Sequence, residues 1–372
     1  MSSSIITMHG YTDLPASAQT AYAQLFEAAL AADHVRSVAD LSGSFASKTV
    51  KGRTYWYYQC TQPSGALTQH YVGPDNPAVR RLIKGSKQPG ALAALEPLIH
   101  VAHALGCATV IPKHERVLRR LAEYGFFRAG GILIGTHAFL ACGNMLGVAW
   151  TRPGLTQDID FAHAGRAISL ALPSTLEVKT SAAIDSLTMG FLPITQLAGK
   201  SGASFLNPKE PEFRLDFLTT RHRSGEEPFF HPQLNVALQP LPFMEFLLQH
   251  VEQVVVFSRE KAVLVNVPDP ARFALHKLIV YGERTGSYRA KASKDLSQSA
   301  SLLSYLWEHQ QRTVKTALED LHERGKGWTS RFAVGSNALL KTHPDLEKAD
   351  GLALALLPKR RRTKRKTTKP TR

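Results

Sequence analysis

Two aspartates one residue apart, Asp158 and Asp160 in TQDIDF (156–161), have the plainest chemical potential in this chain. On a strand, residues i and i+2 project from the same face. Two carboxylates on one face repel each other unless a cation lies between them. Hard divalent ions such as Mg²⁺ take a few carboxylates together with substrate phosphates. A third aspartate, Asp216, lies in FRLDFL (213–218), where bulky apolar residues alternate with Arg214 and Asp216. That alternation predicts a second strand. Three carboxylates drawn from two strands can hold two metal ions for in-line transfer at phosphorus. Upstream, GGILIGTHAF (130–139) reads as a strand over Ile132–Ile134, a Gly135-Thr136 turn and a helix over His137–Met145. The backbone N–H groups and positive end of such a helix form a phosphate cradle. Asp158, Asp160 and Asp216 are therefore candidate catalytic and metal-binding residues, and Gly135 and Thr136 candidate phosphate contacts.

Taken in order, IGTHAF, TQDIDF and RLDFLT resemble the DNA-polymerase-β-type nucleotidyltransferase superfamily. Its pattern is a Gly-[Gly/Ser] turn at a helix start, an [Asp/Glu]-x-[Asp/Glu] pair and a lone third aspartate. The likeness is greatest to a poorly characterised bacterial nucleotidyltransferase-fold branch, through LAEYGFFRAGGILIGTHAF (121–139), and it spans roughly residues 95–310. Thr136 stands where the pattern has Ser or Gly, and it keeps a hydroxyl. The resemblance implies an α/β fold of the α+β kind with a mixed-sheet core, an NTP substrate, and Mg²⁺ as cofactor, two ions with Mn²⁺ as the substitute. It implies an acceptor hydroxyl, with pyrophosphate leaving.

Pro270, Phe273, Lys277 and Leu278 match a related P-x-x-[FL]-x-x-x-K-[LM] helix, and KASKD (291–295) a downstream K-x-x-K-D. By that likeness Lys277 is a phosphate contact, while Asp295 reads as the partner of a neighbouring cation. Arg152 and Thr156 stand near an R-x-T-x-D arrangement at looser spacing, which makes Arg152 a further candidate for the triphosphate. Some relatives are toxins or phage-defence proteins that modify tRNA. RNA is the favoured acceptor, with DNA, a protein or a small molecule such as an aminoglycoside left open.

These residues need a frame. The core is expected over 95–268, after an N-terminal region (1–94) with a helix over 11–33 and a β-hairpin at about 42–73, with room for a third strand before it. Tyr55, Trp56, Tyr57, Tyr58 and Tyr71 interleave there with Lys48, Lys51 and Arg53. Such a mixture either packs on neighbouring helices or stacks bases beside phosphates. Helices are expected over 77–86, 89–105 and 115–124, then a bend at Gly143-Asn144 and Gly147. A helix over 174–188 follows, with Ser174 or Thr175 at its cap and Glu177 near it. Residues 197–207 and Arg221–Arg223 read as loops, and 240–249 as a helix. Strands over 252–258 and 262–267 form a hairpin finishing the sheet. Pro268-Asp269-Pro270 opens a helical domain over 269–357.

The chain has 372 residues and a formal charge of +15. Residues 359–372 hold nine of the cations and no acid, leaving about +6 elsewhere. Composition predicts a disordered tail from 358 onward that favours polyanions, so nucleic acid is the expected partner of tail and hairpin. Cys60, Cys107 and Cys142 form no CxxC pair, which disfavours a zinc site and suits a reducing cytoplasm. No apolar run reaches membrane-spanning length, and the first residues lack a secretory pattern. The rival readings are a nucleic-acid-binding protein without catalysis on the same scaffold, and a hydrolase using the same metals.

Overall fold

The computed structural model describes residues 10–39, 43–61, 67–80, 83, 94–154, 156–164, 178–195, 201–221, 225–284 and 289–357. The chain divides into two compact units, Tyr11–Pro270 and one built from Ala271 onward with the segment ending at Gly10.

The first unit opens with β1 (Tyr11–Asp13), α1 (Ala16–Ala39), β2 (Gly43–Val50), β3 (Arg53–Thr61) and β4 (Leu67–Pro74). Next come α2 (Leu95–Ala104), α3 (Pro112–Glu123), β5 (Ile132–Leu133), α4 (Gly135–Leu146), β6 (Val148–Trp150) and β7 (Ile159–His163). Then follow α5 (Thr180–Ser186), β8 (Leu192–Thr195), β9 (Ser201–Asn207), β10 (Glu210–Thr220), β11 (Phe229–His231) and β12 (Val236–Leu241). The unit ends with α6 (Met244–Leu247), β13 (Val251–Phe257) and β14 (Ala262–Pro268).

The central sheet is mixed, in the order β11-β12-β10-β7-β5, with β9 also on β10 and β8 on β9. β10 carries it: parallel to β7 and to β12, antiparallel to β9. Its inward residues Phe213, Leu215 and Phe217 are buried, as is Phe161 on β7. The Phe161 and Phe217 rings stack at 5.1 Å, and Phe126 meets both edge-on at 5.5 and 5.7 Å. Each buried phenylalanine contributes about 2–3 kcal/mol, and the ring geometry adds a few tenths to about 1. This aromatic layer fixes β7 against β10.

Several expectations are corrected. Tyr11–Asp13 is strand, not helix, because it pairs antiparallel with β6; α1 starts only after Pro15, at Ala16. Gly143 and Asn144 lie inside α4, with no bend. The Asn144 side chain accepts from the Ala108 N–H and donates to its carbonyl, so it is a tether between segments. The helix stops at Gly147, in left-handed backbone at φ 76°. The expected loop over 197–207 is strand β9 from Ser201, drawn out by pairing with β8 and β10. The helix expected over 240–249 shrinks to the single turn α6, since Pro240 and Leu241 belong to β12, whose residues 239–241 pair with β10. β13 and β14 form their own two-stranded sheet and do not finish the central one. β2, β3 and β4 make a separate three-stranded sheet, the hairpin plus the strand before it. The tip of the expected hairpin at 62–66, Ser174, Thr175, Glu177, His222, Arg223 and the 358–372 tail lie outside the described residues, as does all of 84–93.

The second unit is helical: α7 (Pro270–Glu283), α8 (Arg289–His309), α9 (Gln311–Glu323), α10 (Lys326–Thr342), a 3-10 turn Pro344–Lys348 and α11 (Leu352–Leu356). A Cβ on Gly282 would overlap the Arg331 carbonyl, and one on Gly335 the Leu278 carbonyl. α7 and α10 therefore cross backbone to backbone at these two glycines. Among the described residues no helix is long and apolar enough to cross a membrane.

Candidate functional site

The parallel register of β7 and β10 pairs Asp160 with Asp216 and Ile159 with Leu215. Neighbouring strands lie about 4.8 Å apart, so the two carboxylates leave one face of the sheet side by side. Asp158 stands immediately before β7, two residues from Asp160. All three aspartates are half-buried, while Ile159, Phe161, Leu215 and Phe217 fill the opposite face. Alternation thus seats Asp160 and Asp216 on the half-exposed face, above a dry layer.

Asp160 meets the turn that precedes α4. The Ile134 N–H donates to the Asp160 carbonyl at 2.9 Å, bringing β5 alongside β7. Gly135 is left-handed at φ 68°, and a Cβ there would overlap Oδ2 of Asp160. Only glycine lets the carboxylate lie against this helix start. Thr136 is buried in the first turn.

Asp216 has partners that sequence reasoning did not identify. Its Oδ1 accepts from the Ser204 hydroxyl, which β9 delivers because Ser204 pairs with Asp216 across the strands. Nη2 of Arg214 lies 3.5 Å from the same oxygen. Arg214 Nε is buried without a hydrogen-bond partner. Arg214 was visible in FRLDFL as the polar residue alternating with Asp216. Ser204 left no signal beyond its small size in a run taken as loop.

A second unforeseen pair underlies α4. His137, next to Thr136, shares a hydrogen bond of 2.9 Å between its Nε2 and Nδ1 of His114 on α3. The His114 ring packs on Phe213 at 5.1 Å. Burial, helped by the nearby Lys113 charge and opposed by Glu210, lowers the His114 pKa to about 4. His114 is therefore neutral at pH 7 and acts as a prop beneath the site.

Arg152 is exposed on the loop before Asp158, where the Thr156 hydroxyl donates to the Asp158 carbonyl at 3.5 Å. Lys277 belongs to the second unit. There its Nζ lies 3.0 Å from Oδ1 of Asp295 and 4.7 Å from the Phe273 ring centroid. The other Asp295 oxygen bonds Arg284, so Asp295 serves two cations.

The acids suit a hard divalent ion held in an open site. Among the described residues no group of three or more carboxylate, imidazole or thiolate side chains is placed to hold a metal ion, so the strands bring together a pair of carboxylates, Asp160 and Asp216. Mg²⁺ ordinarily takes one or two carboxylates and completes its octahedron with substrate phosphates and water. Side-by-side aspartates next to a helix start match that division of ligands.

A family model described as Nucleotidyltransferase matches residues 113–323, more than half of the chain. No curated protein matches it. Among solved structures, an antigenic nucleotidyltransferase-like protein from Paracoccidioides brasiliensis matches at 15% identity. That match covers 63% of this chain and 92% of the other, with a TM-score of 0.30.

Proposed function

The chain belongs to the nucleotidyltransferase family, and on that footing we propose that it moves a nucleoside monophosphate from an NTP to an acceptor hydroxyl at Asp158, Asp160 and Asp216. The observation that supports this reading most is the in-register pairing of Asp160 with Asp216, with Asp160 pressed against Gly135. Asp158 and Asp160 would hold one Mg²⁺ or Mn²⁺ and Asp216 would share a second. Bound there, the ions supply positive charge for the triphosphate and acidify the acceptor hydroxyl. The backbone N–H groups at Gly135 and Thr136 take phosphate oxygens. Asp216 accepts the hydroxyl proton, and the new O–P bond forms at the α-phosphorus as the bond to pyrophosphate breaks. Ser204 and Arg214 hold Asp216 in place for that role. Arg152 meets the triphosphate from its exposed loop. For Lys277 the phosphate role rests on the sequence pattern alone. The net charge of +15 favours a polyanionic acceptor, RNA first.

Incubation with Mg²⁺, each labelled NTP and total RNA tests this. Label transfer with stoichiometric pyrophosphate is expected, falling by at least about 10³-fold in Asp160→Asn and in Asp216→Asn. RNA retention without transfer, equal in parent and variants, would leave a binding protein without catalysis. Phosphate release with no labelled acceptor would point to a hydrolase.

A further inference from the structure

We propose that the sheet of β2, β3 and β4 is a binding surface for single-stranded nucleic acid, with Tyr55, Tyr57 and Tyr71 as its stacking groups. The registers decide which residues share a face. Tyr55 pairs with Lys48 on β2, and Tyr57 with Tyr71 on β4. Residues paired across antiparallel strands project together. One face therefore presents Lys48, Tyr55, Tyr57 and Tyr71, with Arg53 two residues before Tyr55.

The rings gather without stacking on one another. Tyr71 lies 5.6 Å from Tyr57 and 6.3 Å from Tyr55, at interplanar angles of 65° and 47°. Tyr71 is 59% exposed. The Lys48 Nζ stands 5.1 Å from the Tyr57 centroid. Lys48, Lys51 and Arg53 are all exposed.

The opposite face is engaged differently. Trp56 donates its indole N–H to Asp75 at 3.1 Å, and Asp75 also takes Arg80. That ties the Trp56 side to the segment after β4, while the tyrosine side keeps an exposed ring beside exposed cations, of which Lys48 also donates to Oε1 of Gln69.

Charge complementarity names the occupant. No aspartate or glutamate occurs in β2, β3 or β4. A face with three tyrosines, cations at its edge and no acid suits unpaired bases, whose π-faces stack while their phosphates meet lysine and arginine. A duplex hides those base faces. If the bound strand is also the acceptor, that part rests on the transfer reading above; the binding itself does not.

The test is fluorescence anisotropy on the full chain, in EDTA and without NTP. The probes are labelled oligouridylate and oligothymidylate of about 20 nucleotides, with a duplex of the same length. Tyr71→Ala is expected to weaken single-strand binding by about tenfold or more, with the slope of log K against log salt unchanged. Duplex binding should not move. Lys48→Ala combined with Arg53→Ala should instead reduce that slope by about 1–2. Tyr71→Trp, which keeps an aromatic face, should retain affinity and show quenched emission on binding. A preference for oligouridylate assigns RNA, and equal binding assigns a strand of either sugar; both support the surface. The proposal is overturned if Tyr71→Ala and Tyr55→Ala bind single strands as the parent does, or lose single strand and duplex equally. A chain that binds this way yet transfers no label sinks the transfer reading alone; transfer without tyrosine-dependent binding sinks this one alone.

Discussion

At the scale of single residues, what could be read from the chain was chemistry that local spacing carries. Asp158 and Asp160 declare a shared face by their i, i+2 spacing, and Asp216 by its place in an alternating run. Ser204 and the His114–His137 pair declare nothing locally. They depend on contacts 12 and 23 residues apart that only the finished packing creates. The histidine pair has a measurable consequence. His114 is lowered to about 4 in the fold, chiefly by burial, against about 6.5 in an unfolded chain. Between those values the unfolded chain binds a proton that the fold refuses, so stability is full above about pH 6.5 and falls as pH drops towards 4. The groups facing His114 are His137, Lys113 and Glu210. The loss should be on the order of 2 kcal/mol between about pH 7 and pH 5. Urea denaturation at both pH values reads it, and His114→Gln should show a clearly flatter dependence. An equal pH dependence in parent and variant would remove His114 from this role.

At the scale of elements, the strand–turn–helix at 132–146 and the strands at Asp160 and Asp216 stand close to where the pattern puts them, because each has its own period and boundary. β6 and β9 do not; β13 and β14 form the hairpin expected there, but as a sheet of their own. Ser201–Ser204 is small and polar enough to read as loop, and the stretch becomes strand because β10 is long enough to carry β9 as well as β7 and β12. α4 also begins earlier than expected, at Gly135 and not His137, so the turn glycine is itself the first helical residue. That placement makes Gly135→Ala informative. A methyl there meets left-handed backbone and the Asp160 carboxylate together. The backbone alone costs about 1–2 kcal/mol, which urea denaturation should register. Displacement of Asp160 should also lower label transfer in a way that saturating NTP does not restore. A variant with parental rate and stability would show that Asp160 does not need the bare turn.

At the scale of the whole molecule, the sheet-bearing unit and the helical unit follow the change in sequence texture near Pro268-Asp269-Pro270, whereas charge follows neither. The chain carries 45 lysines and arginines against 30 acids, and residues 359–372 alone supply nine of the cations. Charge placed there would raise affinity for any polyanion without reading its bases, since neutralised phosphates release counterions. The tyrosine face of β2–β4 would supply what the tail lacks, a preference for unstacked bases. The two contributions should therefore separate under salt. Removing residues 359–372 should cut the salt slope by up to about 6 and weaken single-strand and duplex binding alike between about 50 and 200 mM salt. The Tyr71→Ala defect should persist in the shortened chain, at similar fold-change. Anisotropy titrations across that salt range, on parent, shortened chain and the combined variant, measure both effects. A shortened chain with the parental slope would mean that the basic segment does not meet phosphates, and the electrostatic share would then have to come from the first unit.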